Sequence, residues 1–385
     1  MLIIKNAEVY APEYLGRKDI LVCGEKIEYM ADTIEVPAFP CEVMDAKGKR
    51  VIPGLIDQHV HITGGGGEGS FHTRTPELQM SEMIENGLTT VVGLLGTDGI
   101  TRSVENLYAK TMALCEEGVS AYMLTGAYDY PSPTITGLPE KDLVFIHKVL
   151  GLKLAISDHR APNVSTQELI QIASKMRVHG MLSGKPGFVA LHMGDAKSGL
   201  IPVAEAVEYT AIPIKIFRPT HVNRNTRLLE QGYEFLTLGG YIDFTCGFEE
   251  EKSPAMCIKT AMERKLPLEH ITISSDGHGS WSTYDENGTL LEMGVAGMDA
   301  LHHELKRMVE QYEIPLEQAL PFVTSNVAEG LGLENQKGTV KVGADADLVI
   351  LDEDFNIDTV VARGQVMLEN GKLLKMGTYE KTKEV

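Results

Sequence analysis

The sequence predicts an α/β protein: a (β/α)8 TIM-type barrel with a small β-sandwich domain formed by the N- and C-terminal segments. Two observations carry that expectation. From about residue 51 to 335, short β-rich apolar runs alternate with longer helical patterns, as in TTVVGLL followed by SVENLYAKTMALCEEG. At both chain ends, apolar and polar residues alternate at period two instead, broken by turns containing glycine or asparagine.

Taken in order, residues 1–50 read as strands around LIIKNAEVY, DILVCGEKIEYM and VMDAKGKRV. Residues 51–337 repeat strand then helix many times, the signature of a parallel sheet with helical crossovers. Residues 338–385 return to strands in TVKVGADADLVILD and TVVARGQVMLENGKLL. No low-complexity linker, charge run or internal repeat separates these zones. Residues 1–50 and 338–385 are therefore expected to fold together as one β domain beside a barrel of residues 51–337.

Bulk properties narrow the function. The 385 residues are 43 % hydrophobic and 23 % charged, enough to bury a core without staples. A net charge of −19, spread along the chain, repels phosphate backbones and anionic bilayers and so argues against nucleic acid and membrane partners. A small anionic substrate stays open, because a few arginines in a cleft reverse the local field. Cys23, Cys41, Cys115, Cys246 and Cys257 form no C-x-x-C pair, which points to free thiols in a reducing compartment. Met1–Tyr10 lacks the pattern of a signal peptide, and no apolar run approaches the roughly 20 residues that span a bilayer. The expected location is the cytoplasm.

The chemistry concentrates at predicted strand ends, where barrels place functional side chains. In IDQHVH, His59 and His61 are two apart, and residues two apart on a strand share a face. FVALH ends in His192, IPIKIFRPTH in His221, and ITISSD in Asp276. Imidazole nitrogen and carboxylate oxygen suit zinc and similar divalent ions. Lys153, in LGLKLAIS, is either a snorkelling surface lysine or a buried one that needs a partner. His72, His147, His159, His179, His270, His278, His302 and His303 lack this context and read as surface or packing residues.

The opening VIPGLIDQHVH and the closing GTVKVGADADLVILD resemble the amidohydrolase superfamily over essentially the whole chain, and within it the isoaspartyl (β-aspartyl) dipeptidases. The resemblance implies two divalent ions, zinc by preference. His59 and His61 would hold the more buried ion, and His192 and His221 the more exposed one. Lys153, carboxylated by carbon dioxide, would bridge both, and Asp276 would bind the first ion and act as the catalytic base. It further implies hydrolysis of a small anionic dipeptide to aspartate and an amino acid, by a homo-oligomer as large as an octamer.

The substrate-reading residues follow. HITGGGGEGS contains Gly64-x-Gly66-x-x-Gly69, a formal dinucleotide fingerprint. It starts on candidate ligands, opens no clean helix and closes no βαβ unit, so a nucleotide-binding oxidoreductase is set aside. A run of glycines instead lets backbone approach a ligand closely. By resemblance, Gly66 lines the substrate, Glu68 pairs with its α-ammonium and assists proton movement, and Tyr128 polarises the scissile carbonyl. Arg160 and Arg224 would clamp two carboxylates, as guanidinium does well, although structural ion pairs are the plainer reading of those arginines. Thr97 and Ser280 complete the expected contacts. The alternatives are another amidohydrolase acting on a cyclic amide or N-acyl amino acid (dihydroorotase, hydantoinase or deacylase-like) and a non-catalytic scaffold.

Overall fold

The computed structural model describes residues 1–285, 287 and 289–380; residues 381–385 of the expected terminal domain lie outside the described residues. Eight parallel strands carry the central part: β1 (Leu55–Val60), β2 (Leu88–Gly93), β3 (Ser120–Gly126), β4 (Val149–Ile156), β5 (Phe188–Met193), β6 (Phe217–Thr220), β7 (Ile242–Thr245) and β8 (Ile271–Ser274). Strands β1 to β6 pair in chain order as one parallel sheet, and β7 pairs with β8. A parallel bridge between Val60 and Gly277 brings the segment after β8 back beside β1, so the strands curl.

Sequence explains the arrangement. Strands β2, β3, β4 and β5 are buried along their full length, as parallel strands covered on both faces must be. A helix follows each, among them Val104–Glu117, Thr166–Ser183 and Ile201–Tyr209. Thr166–Ser183 begins at a reciprocal Ser165–Glu168 capping box and ends at Gly184, whose φ of 66° suits glycine. Leu107, Leu114, Leu169 and Met176 on these helices join Val91, Leu152 and Leu191 of the strands in one apolar core.

The chain ends form a separate nine-stranded sheet. Arg50–Pro53 is its seam, running parallel to Leu2–Tyr10 on one side and antiparallel to Leu348–Leu351 on the other. Ile4, Val9, Ile20, Val51, Leu348 and Ile350 pack its core. Lys337 fastens this sheet to the parallel one: its ammonium meets Asp345 at 2.7 Å and Asp347 at 2.5 Å, and donates to Ser120 Oγ at 2.7 Å. The architecture is thus a curled layer of parallel strands wrapped by helices, with a sheet built from both termini. All five cysteines are free thiols. Among the described residues, no helix is long and apolar enough to cross a membrane.

Candidate metal centre and substrate pocket

The strand ends bring the expected ligands together. His59 lies within β1 and His61 one residue beyond it, His192 within β5, His221 just past β6, and Asp276 two residues past β8. The ligand atoms of His59, His221 and Asp276 all fall within 4.8 Å of one another. His61 Nε2 sits 3.1 Å from Asp276 Oδ1, and His59 Nε2 sits 3.4 Å from the same oxygen. The His192 ring centroid is 4.6 Å from that of His221. His221 and Asp276 take left-handed backbone, φ 61° and 57°, which turns both side chains inward as their strands end.

Lys153 does not snorkel. It is 1 % exposed, and its Nζ lies 2.9 Å from His59 Nε2. Among the described residues no carboxylate comes within ion-pair distance of it, an expensive state for an ammonium. Burial drives its pKa down to about 7. Burial likewise holds His59 and His221 well below the usual imidazole range and His192 near about 3, so their rings are neutral. Burial opposes ionisation of Asp276, yet the hydrogen bond to His61 and the charge of its neighbours hold the carboxyl well below its ordinary value.

These residues fit divalent ions on the structure's own terms. His221 Nδ1 is hydrogen-bonded to Thr245 Oγ1 at 2.7 Å, while its buried Nε2 has no partner among the described residues. His61 Nδ1 is likewise unpartnered among the described residues, but the nitrogen of that ring that faces Asp276 is Nε2. Buried polar atoms are nearly always satisfied, so an unmet His221 nitrogen in a group with His59 and Asp276 fits a cation.

Several of the substrate candidates contact one another. Glu68 accepts from Thr97 Oγ1 at 2.7 Å and from Ser280 Oγ at 3.0 Å, and stands 3.4 Å from Arg160. Gly66 has φ 72°, and a Cβ there would meet the Thr73 carbonyl at 2.5 Å, so the loop needs glycine. Tyr128 OH approaches His192 Nδ1 at 2.6 Å, and burial pushes its pKa up, keeping the phenol protonated. Arg160 grips Asp158 with Nε at 3.0 Å and Nη2 at 2.9 Å, so the ion-pair reading of this arginine also holds. Arg224 stands 3.7 Å from Asp195, with its buried Nε unpartnered.

The model of the amidohydrolase family matches residues 50–367. The chain belongs to that family. Among solved structures, the β-aspartyl dipeptidase of Fervidobacterium islandicum AW-1, in complex with β-Asp-Leu dipeptide, is 42 % identical with a TM-score of 0.94, over 98 % of both chains. The L-hydantoinase of Paenarthrobacter aurescens is 24 % identical over 408 residues, covering 94 % of this chain and 88 % of that enzyme. The dihydroorotase of Listeria monocytogenes serotype 4a (strain HCC23) is 36 % identical over 126 residues, 28 % of its own length.

Sequence reasoning passed over several residues of this amidohydrolase site. Asp158, in the same SDHR segment as Arg160, joins that arginine to His192. Asp243, on β7, gathers donors from Gln58, Thr220, Thr272 and Ser274 beneath the cluster. His278 is buried between the Pro76 carbonyl and Glu82, a packing role that ties the segment after β8 to the amidohydrolase's first helix. Asp158 had a signal, an acid two residues from a candidate strand-end arginine; Asp243 had none beyond a polar residue in an apolar strand.

Proposed function

We propose that this amidohydrolase hydrolyses β-aspartyl dipeptides to aspartate and a free amino acid. The reading takes residues 51–337 as a closed (β/α)8 barrel beside a β domain of residues 1–50 and 338–385. It makes the enzyme a cytoplasmic homo-oligomer, to be counted by sedimentation, for which an octamer is the expectation the resemblance supplies. The observation that carries it is Glu68: a carboxylate at the tip of a glycine loop, held by Thr97, Ser280 and Arg160, whose Nη2 stands 3.5 Å from His192 of the ligand cluster. An anion so placed suits a substrate with a free α-ammonium, which a dihydropyrimidine or hydantoin ring does not offer. The 42 % identity to a β-aspartyl dipeptidase supports the same substrate.

Two divalent ions, with zinc as our choice, would be held by His59, His61, His192, His221, Asp276 and Lys153 as its carbamate. When bound they supply Lewis acidity and lower the pKa of water. A buried lysine without an acid partner among the described residues supports the carbamate, which replaces a cation by an anionic oxygen ligand. Arg160 and Arg224 would clamp the two substrate carboxylates, Glu68 the ammonium, with Gly66, Thr97 and Ser280 completing the pocket. Tyr128 donates to the oxygen of the scissile carbonyl as it gains negative charge. Asp276 accepts a proton from the attacking water and returns it to the leaving amine.

The test is hydrolysis of β-Asp-Leu, α-Asp-Leu and dihydroorotate by the zinc-loaded protein. Selective cleavage of β-Asp-Leu is expected. Turnover of dihydroorotate without β-aspartyl cleavage, with bound zinc verified, would replace this reading by a cyclic-amide hydrolase.

A further inference from the structure

Arg102 lies in the loop between β2 and helix Val104–Glu117 and is 6 % exposed. A buried guanidinium ordinarily finds a carboxylate. Among the described residues, none stands within ion-pair distance of Arg102. Its partners are three backbone carbonyls: Nη1 donates to Thr63, and Nη2 to Gly65 and Thr75 at 3.0 Å each. Thr63 and Gly65 belong to the outgoing arm of the glycine loop and Thr75 to its returning arm. The two arms pair directly through Thr75 N–H to the Gly65 carbonyl at 2.9 Å and through a Gly66–Arg74 bridge. Glu68 stands at the tip between them. The guanidinium therefore clamps the root of the loop that carries Glu68.

The same root is tied to two other parts of the site. Thr75 Oγ1 accepts from Gly65 N–H at 2.6 Å and donates to the His278 carbonyl at 2.6 Å, two residues beyond Asp276. Thr97, which donates to Glu68, shares the β2 loop with Arg102 itself. Arg74, on the returning arm, pairs with Asp98 at 3.0 Å in that loop as well. One planar fork thus fixes the spacing between the Glu68 loop, the loop bearing Thr97 and the segment bearing Asp276. Lysine, with one nitrogen in place of two, could keep at most the Gly65–Thr75 pair and would lose the Nη1 bond to Thr63, so the three-point fork is not reproduced.

We propose that Arg102 is the positioning residue for Glu68 and, resting on the function proposed above, sets the preference for ligands with an α-ammonium. Arg102 touches no substrate; it acts through the backbone. A misplacement of Glu68 on the ångström scale costs ammonium recognition but leaves carboxylate binding by Arg160 and Arg224 in place.

The experiment compares inhibition of β-Asp-Leu hydrolysis by aspartate and by succinate, its analogue without the amine, in wild type and Arg102→Lys. Wild type is expected to bind aspartate more tightly. In Arg102→Lys the aspartate-to-succinate preference should fall about tenfold, the scale of a displaced contact, with the succinate constant within about twofold of wild type. Should Arg102→Lys fail to fold, Thr75→Val removes the hydroxyl bridge at the same loop root and is read by the same ratio. Hydrogen exchange at Gly65–Gly67 should quicken in either variant. An unchanged ratio, or equal weakening of both inhibitors, overturns the clamp while the dipeptidase reading stands. A wild type that cleaves β-Asp-Leu yet does not prefer aspartate overturns the role of Glu68 and this inference with it.

Discussion

Asp158 Oδ2 accepts a hydrogen bond from His192 Nε2 at 3.0 Å, which leaves the Nδ1 lone pair of that ring facing the Tyr128 hydroxyl at 2.6 Å. Because the carboxylate is itself gripped by Arg160 through two nitrogens, it fixes both the tautomer and the orientation of the imidazole. Burial opposes ionisation of Asp158, but the bonds from His192 and Arg160 outweigh it and keep the group charged. Asp158→Asn is expected to weaken the more exposed ion about 10–100-fold, the usual effect of losing such an outer carboxylate. Chelator competition on the protein without substrate measures it, and equal affinities in both proteins would refute the assignment.

Lys153 bears on the other half of the centre. Replacement by methionine keeps volume and apolar fit in the buried β4 position but removes the amine. The expected result is a folded protein that binds fewer than two zinc ions per chain. Wild type equilibrated with carbon-13 bicarbonate should give a lysine carbamate signal that Lys153→Met lacks. Full zinc occupancy in the variant would remove the carbamate from the reading.

Glu68 is the specificity test. Glu68→Gln preserves shape and one of the bonds donated by Thr97 and Ser280, the other hydroxyl turning to accept from the amide, but takes away the charge. Truncating one member of a buried charge pair costs about 2–5 kcal/mol, so kcat/KM for β-Asp-Leu should fall by roughly 30-fold or more. Most of that loss belongs in KM if the residue only holds the ammonium, and in kcat if it also moves a proton. A variant as active as wild type would show that Glu68 reads nothing.

These residues differ in how far the sequence exposed them. His59, His61, His192, His221 and Asp276 were legible because each ends an apolar strand, and a parallel sheet gathers strand ends at one face. Lys153 was ambiguous: one lysine in an apolar run snorkels or is buried depending on strand length and neighbours, which spacing does not encode. Arg102 and Asp243 were invisible. Their partners are carbonyls and hydroxyls from segments far apart in the chain, and such partners leave no motif. The terminal sheet was legible as strands, but its order was not, since the Arg50–Pro53 seam with Leu348–Leu351 joins opposite ends of the sequence.

The junction between the two sheets has its own pH behaviour. Burial opposes charging of Lys337, but the fields of Asp347 and Asp345 prevail and raise its pKa. For Asp345, burial opposes ionisation, while Lys337 and Lys26 together lower the pKa. A raised lysine contributes stability that is complete below its unfolded pKa, roughly 10.4, and is lost as pH rises through the folded value. A lowered aspartate contributes stability present above roughly 3.9 and lost as pH falls through its folded value. The bridge should therefore be intact from about pH 4 to pH 10. Lys337→Met leaves two carboxylates without their buried cation and should cost about 3–5 kcal/mol across that window. The melting-temperature gap between wild type and variant should be flat from about pH 5 to 9 and narrow outside it. A gap that instead varies steeply near neutrality would place the controlling titration elsewhere.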